Sequence, residues 1–98
     1  MKRLEPIHPG DILLEEFMKP HGLSQNRLAR DIDVSPARIH DVVHGRSAIT
    51  ASLALRLAKY FATTPELWLN LQSDYDLRRA RARDWPKVEP RVRVLVER

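Results

Sequence analysis

Cysteine is absent from the 98 residues, which removes disulfides, thiolate chemistry and every Cys-based zinc site. A chain without thiols suits a reducing compartment, and a cytoplasmic location is expected. Glycine occurs only three times, and no phosphate-cradling glycine loop is visible. Apolar runs last a few residues, far short of the roughly 20 that cross a bilayer, so no membrane association is expected. The basic start MKRLEPIHPG leads into no apolar stretch of about 7–15 residues and does not read as a signal peptide. No nucleophile–base–acid set is visible either, so neither an enzyme, a cofactor nor a small-molecule substrate is expected.

What the chain does contain bounds it further. Ninety-eight residues with 43% hydrophobic side chains make one domain with one modest core and little room for a deep cleft. Net charge is +4 and the pI is near 10.0. The charge is uneven: residues 1–71 hold 9 basic and 8 acidic side chains, residues 72–98 hold 8 and 5. A basic domain points to a polyanionic partner or to an ordinary solvated surface.

Helix-start signals recur. Pro9 and Gly10 open DILLEEFMK, which stops at Pro20 and Gly22; Ser24 caps QNRLARDI; Ser35 with Pro36 opens ARIHDVVH, closed by Gly45. Thr50 caps ASLALRLAKYF, and Thr64 with Pro65 opens ELWLNLQSDYDLRRARA. Cap oxygens satisfy first-turn amides, and proline at the first position forfeits no hydrogen bond. The spacing predicts an all-α body of five helices over residues 1–82, and a separate tail over 83–98.

Apolar stripes agree with those helices. Ala54, Leu57, Ala58 and Phe61 fall at i, i+3, i+4 and i+7, one buried face. In the fifth helix Leu67, Leu71 and Tyr75 line a face with Trp68 beside it. The first helix carries two stripes, Leu13 with Phe17 and Leu14 with Met18, read as a broad core face or as a core stripe beside a partner stripe. In the tail, Pro86 and Pro90 forbid a continuous helix. Val92, Val94 and Val96 alternate with Arg93, Leu95 and Glu97, so an irregular or strand-like tail is expected.

The stretch SQNRLARDIDVSPARIHDVV, residues 24–43, sets two short helices almost end to end. Counting from Gln25 as one, Leu28, Ile32, Val34, Ile39 and Val42 stand at positions 4, 8, 10, 15 and 18, with small Ala29 at position 5. Those are the apolar and small positions of a helix-turn-helix, over 24–44, whose second helix meets DNA. Asp33 stands in the turn where glycine is commonest, and Asp is one of the few other residues to visit the left-handed region at modest cost. With Ile39 and Val42 inward, Ser35, Pro36, Ala37, Arg38, His40, Asp41 and His44 face out. Arg38 can donate to guanine, Ala37 can pack on a thymine methyl and Asp41 can accept from cytosine. Ser24, Gln25, Arg46 and Ser47 are placed for phosphate.

His40-Asp41-Val42-Val43-His44 also has the i, i+4 spacing of a zinc-peptidase helix. That chemistry needs Glu as base and a third ligand. Asp is one methylene shorter, and neither His8 nor His21 has a ligand's spacing, so no metal site is expected.

Three stretches, IHPGDILLEEFM at 7–18, the motif at 24–46 and ITASLALRLAKYFATTPELWLNLQSDYDL at 49–77, resemble HigA-type antitoxins of bacterial toxin–antitoxin modules, in the Xre/Cro-like helix-turn-helix superfamily. The resemblance implies a Cro/lambda-repressor-like fold and a homodimer on a palindromic operator that represses its own operon. It also implies a partner, a HigB-type toxin that cuts mRNA on the ribosome. It places Gln25 on phosphate, Ser35, Ala37, Arg38 and Asp41 on bases, and His44 and Arg46 on the backbone. The toxin-facing region is read as the N-terminal arm and first helix, with Asp11, Glu15 and Glu16. Dimerisation, which doubles a short readout across two half-sites, is assigned to Trp68, Leu71, Tyr75 and the tail. The alternatives are a stand-alone repressor without a toxin and a protein-interaction module that does not bind DNA.

Overall fold

The computed structural model describes residues 5–96, and these are helical with no strand among them. The first helix starts as α1 (Pro9–Ile12), widens into a π-helix over Leu13–Met18 and tightens into a 3-10 turn over Lys19–His21. Then come α2 (Gln25–Asp31), α3 (Pro36–Val43), α4 (Ala51–Phe61) and α5 (Pro65–Arg83). A short α6 (Trp85–Val88) and a 3-10 turn (Glu89–Arg91) follow.

The expected caps are in place. Ser24, Ser35, Thr50 and Thr64 accept from the backbone N–H of Arg27, Arg38, Leu53 and Leu67. Each relieves one of the amides that a helix start leaves without a partner. No helix among the described residues is long and apolar enough to cross a membrane.

The π turn changes which residues of the first helix share a face. Leu13 and Met18 are both buried, whereas Leu14 and Phe17 are only partly covered. A five-residue repeat brings Leu13 and Met18 into line, where the 3.6-residue repeat would pair Leu13 with Phe17. Both stripes pack on the core, as one broad face. Pro20 brings no N–H to the ladder and sits inside the 3-10 turn, and Gly22, left-handed at φ 62°, ends the segment.

The core gathers Leu28, Ala29, Ile39, Val42, Leu53, Leu57 and Trp68 from α2 to α5. Trp68 is fully buried, with its Nε1 donating to Thr63 Oγ1 at 2.9 Å and Phe17 packed on it at 4.8 Å between ring centroids. Gly10 lets α1 pass close to α3: a Cβ there would overlap the Val42 carbonyl. Beyond Arg79 the whole of α5 is exposed, as is the tail through residue 96. The tail is irregular: Pro86 sits in the first turn of α6, and the backbone at Val92 is extended, with its N–H donating to the Glu89 carbonyl at 3.1 Å. Glu97, the last residue of the alternating run, lies outside the described residues.

His8 ties the N-terminal segment to this frame. It caps α1, with Nδ1 accepting the Gly10 N–H at 2.9 Å, and meets the Tyr75 ring of α5 edge-on at 4.7 Å. A ring nitrogen that accepts carries no proton. Burial holds the His8 pKa below its ordinary value, with Arg79 adding to the effect and Asp11 and Asp76 opposing it. The unfolded chain therefore binds this proton more readily than the folded one. The stability owed to neutral His8 is complete above the ordinary value of 6.5 and is lost as the pH falls from there through the lowered folded value. Urea denaturation between about pH 8 and 5 should show wild type losing more stability than His8→Asn, which keeps a capping oxygen but does not titrate. Parallel pH profiles would exclude His8 as the source.

Candidate nucleic-acid interface

The two helices of the motif are joined by a turn whose hydrogen bonds dictate its shape. Asp33 lies in the left-handed region at φ 59°. The Val34 N–H reaches back to the Ala29 carbonyl at 2.9 Å and the Asp33 N–H to Arg30 at 3.3 Å, which closes α2 with the paired bonds of a Schellman motif. Ala29 is fully buried where α3 passes over α2. The glycine departure at Asp33 thus adopts the conformation that glycine would.

Ile39, Val42 and Val43 turn α3 inward and are buried, which leaves Ser35, Pro36, Ala37, His40 and His44 exposed. Asp41 is half-buried, and its backbone carbonyl accepts from Arg46 at 2.7 Å and Ser47 at 3.2 Å. These bonds, with Gly45 at φ 74°, fold the following loop back along α3, with Arg46 exposed and Ser47 half-buried. Ser24 and Gln25 stand at the start of α2. Gln25 Oε1 lies 3.3 Å from His40 Nδ1, so this contact joins the outer sides of the two helices. His44 Nδ1 donates to the His40 carbonyl at 2.8 Å, and the two imidazoles stack at 4.0 Å.

Arg38 is not freely extended. It is half-buried, its Nη2 donates to Thr50 Oγ1 at 3.2 Å, and its Nε is buried without a partner. Among the described residues no group of three or more His, Cys, Asp or Glu side chains is placed to hold a metal.

Trp68, expected at the dimer surface, lies in the core of the single chain. It has no exposed area left for a second chain, because the narrow space between α4 and the first helix takes the whole indole. Leu71 and Tyr75 are half-buried, Leu71 against the core and Tyr75 under Arg79 at 5.3 Å. Leu67, expected on the inner face, is exposed instead. The buried line of α5 runs through Trp68 and Gln72, one position round from the expected face.

Three residues that the sequence reading missed hold this region in place. Gln72 is buried on α5, accepts from the Ile49 N–H at 2.8 Å and donates to Asp76 at 2.9 Å. It anchors the loop after α3 to α5. On α4, Arg56 Nη1 donates to the carbonyls of Ile32 and Asp33, both at 2.7 Å, and the Tyr60 hydroxyl donates to Asp31 at 2.7 Å. That Tyr60 bond, foremost, draws the Asp31 carboxyl below its usual range and pushes the Tyr60 hydroxyl up. The one available signal was that Arg56 and Tyr60 are four apart and share a face of α4.

The helix-turn-helix family pattern matches residues 14–68, more than half of the chain. Virulence-associated protein I of Dichelobacter nodosus is 51% identical over 76% of this chain and 68% of its own length. The structure of Pseudomonas aeruginosa antitoxin HigA with the higBA promoter superposes at a TM-score of 0.88 with 40% identity, covering 93% of this chain and 99% of that one. The chain belongs to the HigA family of helix-turn-helix antitoxins. The antitoxin GraA in complex with its operator is a further relative at a TM-score of 0.89 and 40% identity, covering 99% of this chain and 98% of that one. Like its HigA relatives the chain is not an enzyme.

Replacing Gln72 with Leu would leave the Ile49 N–H buried without an acceptor. An unmet buried donor costs about 1–3 kcal/mol. Gln72→Leu should therefore lower the urea midpoint by a corresponding amount, and an unchanged midpoint would mean that water or another carbonyl replaces the bond.

Proposed function

We propose that this protein is an autoregulating antitoxin that binds a palindromic operator as a homodimer, represses its own operon and neutralises a HigB-type toxin in the cytoplasm. The observation that carries the DNA half is the outer face of α3, kept clear of the core by buried Ile39 and Val42 and flanked by capped helix starts at Ser24 and Ser35. The solved structures of HigA with its promoter and GraA with its operator support the same reading.

In this reading Ser24, Gln25, His44, Arg46 and Ser47 contact the phosphate backbone and fix the register. Ser35, Ala37, Arg38 and Asp41 meet base edges. Arg38 reaches a guanine by exchanging Thr50 for the base edge, and its unpartnered Nε is then satisfied as well. Gln25, oriented by His40, turns its amide donors outward to phosphate.

The toxin is a basic protein that meets the acidic side of the first helix. Asp11, Glu15 and Glu16 are exposed there, and Glu15 is already paired with Lys19 at 2.8 Å. The N-terminal arm adds to this surface; its residues 1–4 lie outside the described ones.

Residues 83–98, with the end of α5, form the dimer contact in place of buried Trp68. Leu77 is 49% exposed and Trp85 41%, and with Ala80 they line one groove across the α5–α6 junction. The double substitution Leu77→Glu, Trp85→Glu should convert a dimer to a monomer in sedimentation and cut operator affinity, while leaving the melting temperature of the helix-turn-helix body nearly unchanged. A variant that still sediments as a dimer would move the interface elsewhere.

The decisive experiment is a titration on the DNA immediately upstream of the coding sequence, with and without the product of the adjacent small reading frame. Specific binding should weaken roughly 10³–10⁵-fold between about 50 and 200 mM salt if the dimer makes some 6–10 phosphate contacts, and the second protein should form a stable complex. A flat salt response would overturn the DNA reading; specific binding without a protein partner would leave a repressor alone.

A further inference from the structure

We propose that Arg56, on the helix after the motif, is a positioning residue for operator recognition: it fixes the angle between α2 and α3 and so sets sequence discrimination without touching DNA. This rests on the DNA-binding reading above.

The two carbonyls that Arg56 holds belong to Ile32 and Asp33, the C-cap of α2 and the left-handed residue of the turn. Carbonyls at a helix end have no partner within the helix, and here one guanidinium nitrogen serves both. Arg56 Nη1 also lies 4.0 Å from Asp33 Oδ2, and its Nε reaches Ser52 Oγ at 3.4 Å, which steadies the guanidinium from its own helix. One turn along α4, Tyr60 takes Asp31. Three consecutive residues, 31 to 33, are therefore gripped from one side of α4. Arginine suits this task because its planar fork presents several donors in fixed directions, which a lysine ammonium does not.

Leverage turns this grip into specificity. α3 has 8 residues and is about 12 Å long. A rotation of roughly 10° at the turn then moves its far end by about 2 Å, more than a hydrogen bond to a base edge survives. Phosphate contacts from long side chains follow such a shift far better. Loosening the turn should thus erode discrimination and leave sequence-independent binding in place.

The test compares wild type with Arg56→Met, Arg56→Lys and Tyr60→Phe on the upstream DNA fragment and on a scrambled fragment of equal length, each at several salt concentrations. Thermal melts establish that every variant is folded at the assay temperature. Arg56→Met should lose roughly tenfold or more in the ratio of the two affinities, the scale of one mismatched base pair. Affinity for the scrambled fragment and its salt slope should stay at wild-type values, and Arg56→Lys should recover part of the ratio. Tyr60→Phe removes the neighbouring strut and should lower the ratio less; it carries the test if Arg56→Met fails to fold. A salt slope reduced by about 0.9 per protomer would make Arg56 a phosphate contact instead. An unchanged ratio in a folded variant would overturn the positioning role. Wild type that does not distinguish the two fragments would remove the DNA reading itself, and this inference with it.

Discussion

Two residues, Asp33 and Val34, separate the C-cap of α2 from the N-cap of α3, and everything presented on the outer face of α3 depends on how that short turn is held. Asp33 must sit in the left-handed region, which is unfavourable for any side chain that carries a Cβ. Ala29 must stay small so that α3 can cross closely. The cost is offset locally by the two back-bonds that close α2 and from a distance by Arg56 and Tyr60. The turn is short because it is braced from behind, not because two short helices are stable by themselves.

A second brace works at the other end of α3. The loop from Gly45 to Ile49 leaves the helix sharply, and Gln72 of α5 takes the Ile49 N–H at its far end. His8 packs near Gly45 while it caps α1 and meets Tyr75. The recognition helix is thus held at its start by α4 and at its end by α5 and the N-terminal segment. Such a helix can present a fixed set of side chains although only its inner residues reach the core. The polar residues in both braces, Arg56, Gln72 and His8, are satisfied by backbone groups that would otherwise lack partners, which is where a buried hydrogen bond matters most.

Much of this was legible beforehand because it is local. A cap oxygen three residues ahead of an amide, a proline in a first turn and an apolar residue every three or four positions are written in consecutive sequence. Ser24, Ser35, Thr50 and Thr64 accordingly start helices where expected, and Asp33 takes the turn conformation foreseen for it. What could not be read depends on partners far apart in the chain. Gln25 and His40 are 15 positions apart, Ile49 and Gln72 are 23, and Arg56 reaches back 24 to Ile32. Periodicity also misled in two places for physical reasons. The π turn re-aligned Leu13 with Met18, and Trp68, with the large ring to bury, took the inner position that the regular stripe gave to Leu67. The outward face of α3 was legible as a set, but the bend of Arg38 toward Thr50 was not.

The exposed tail has a consequence for the behaviour of the protein in concentrated solution. Val92, Val94, Leu95 and Val96 form an exposed apolar run outside any helix, the kind of segment on which identical chains stack into fibrils. Pro90 withholds a backbone donor just ahead of it, and Arg91 and Arg93 place like charges on any two copies that approach. Residues of this type act as gatekeepers against aggregation. The basic charge of the last quarter of the chain therefore has a colloidal role beside its attraction for polyanions. Ionic strength that screens one screens the other, so salt that releases the protein from a nucleic acid also brings its tails closer to self-association.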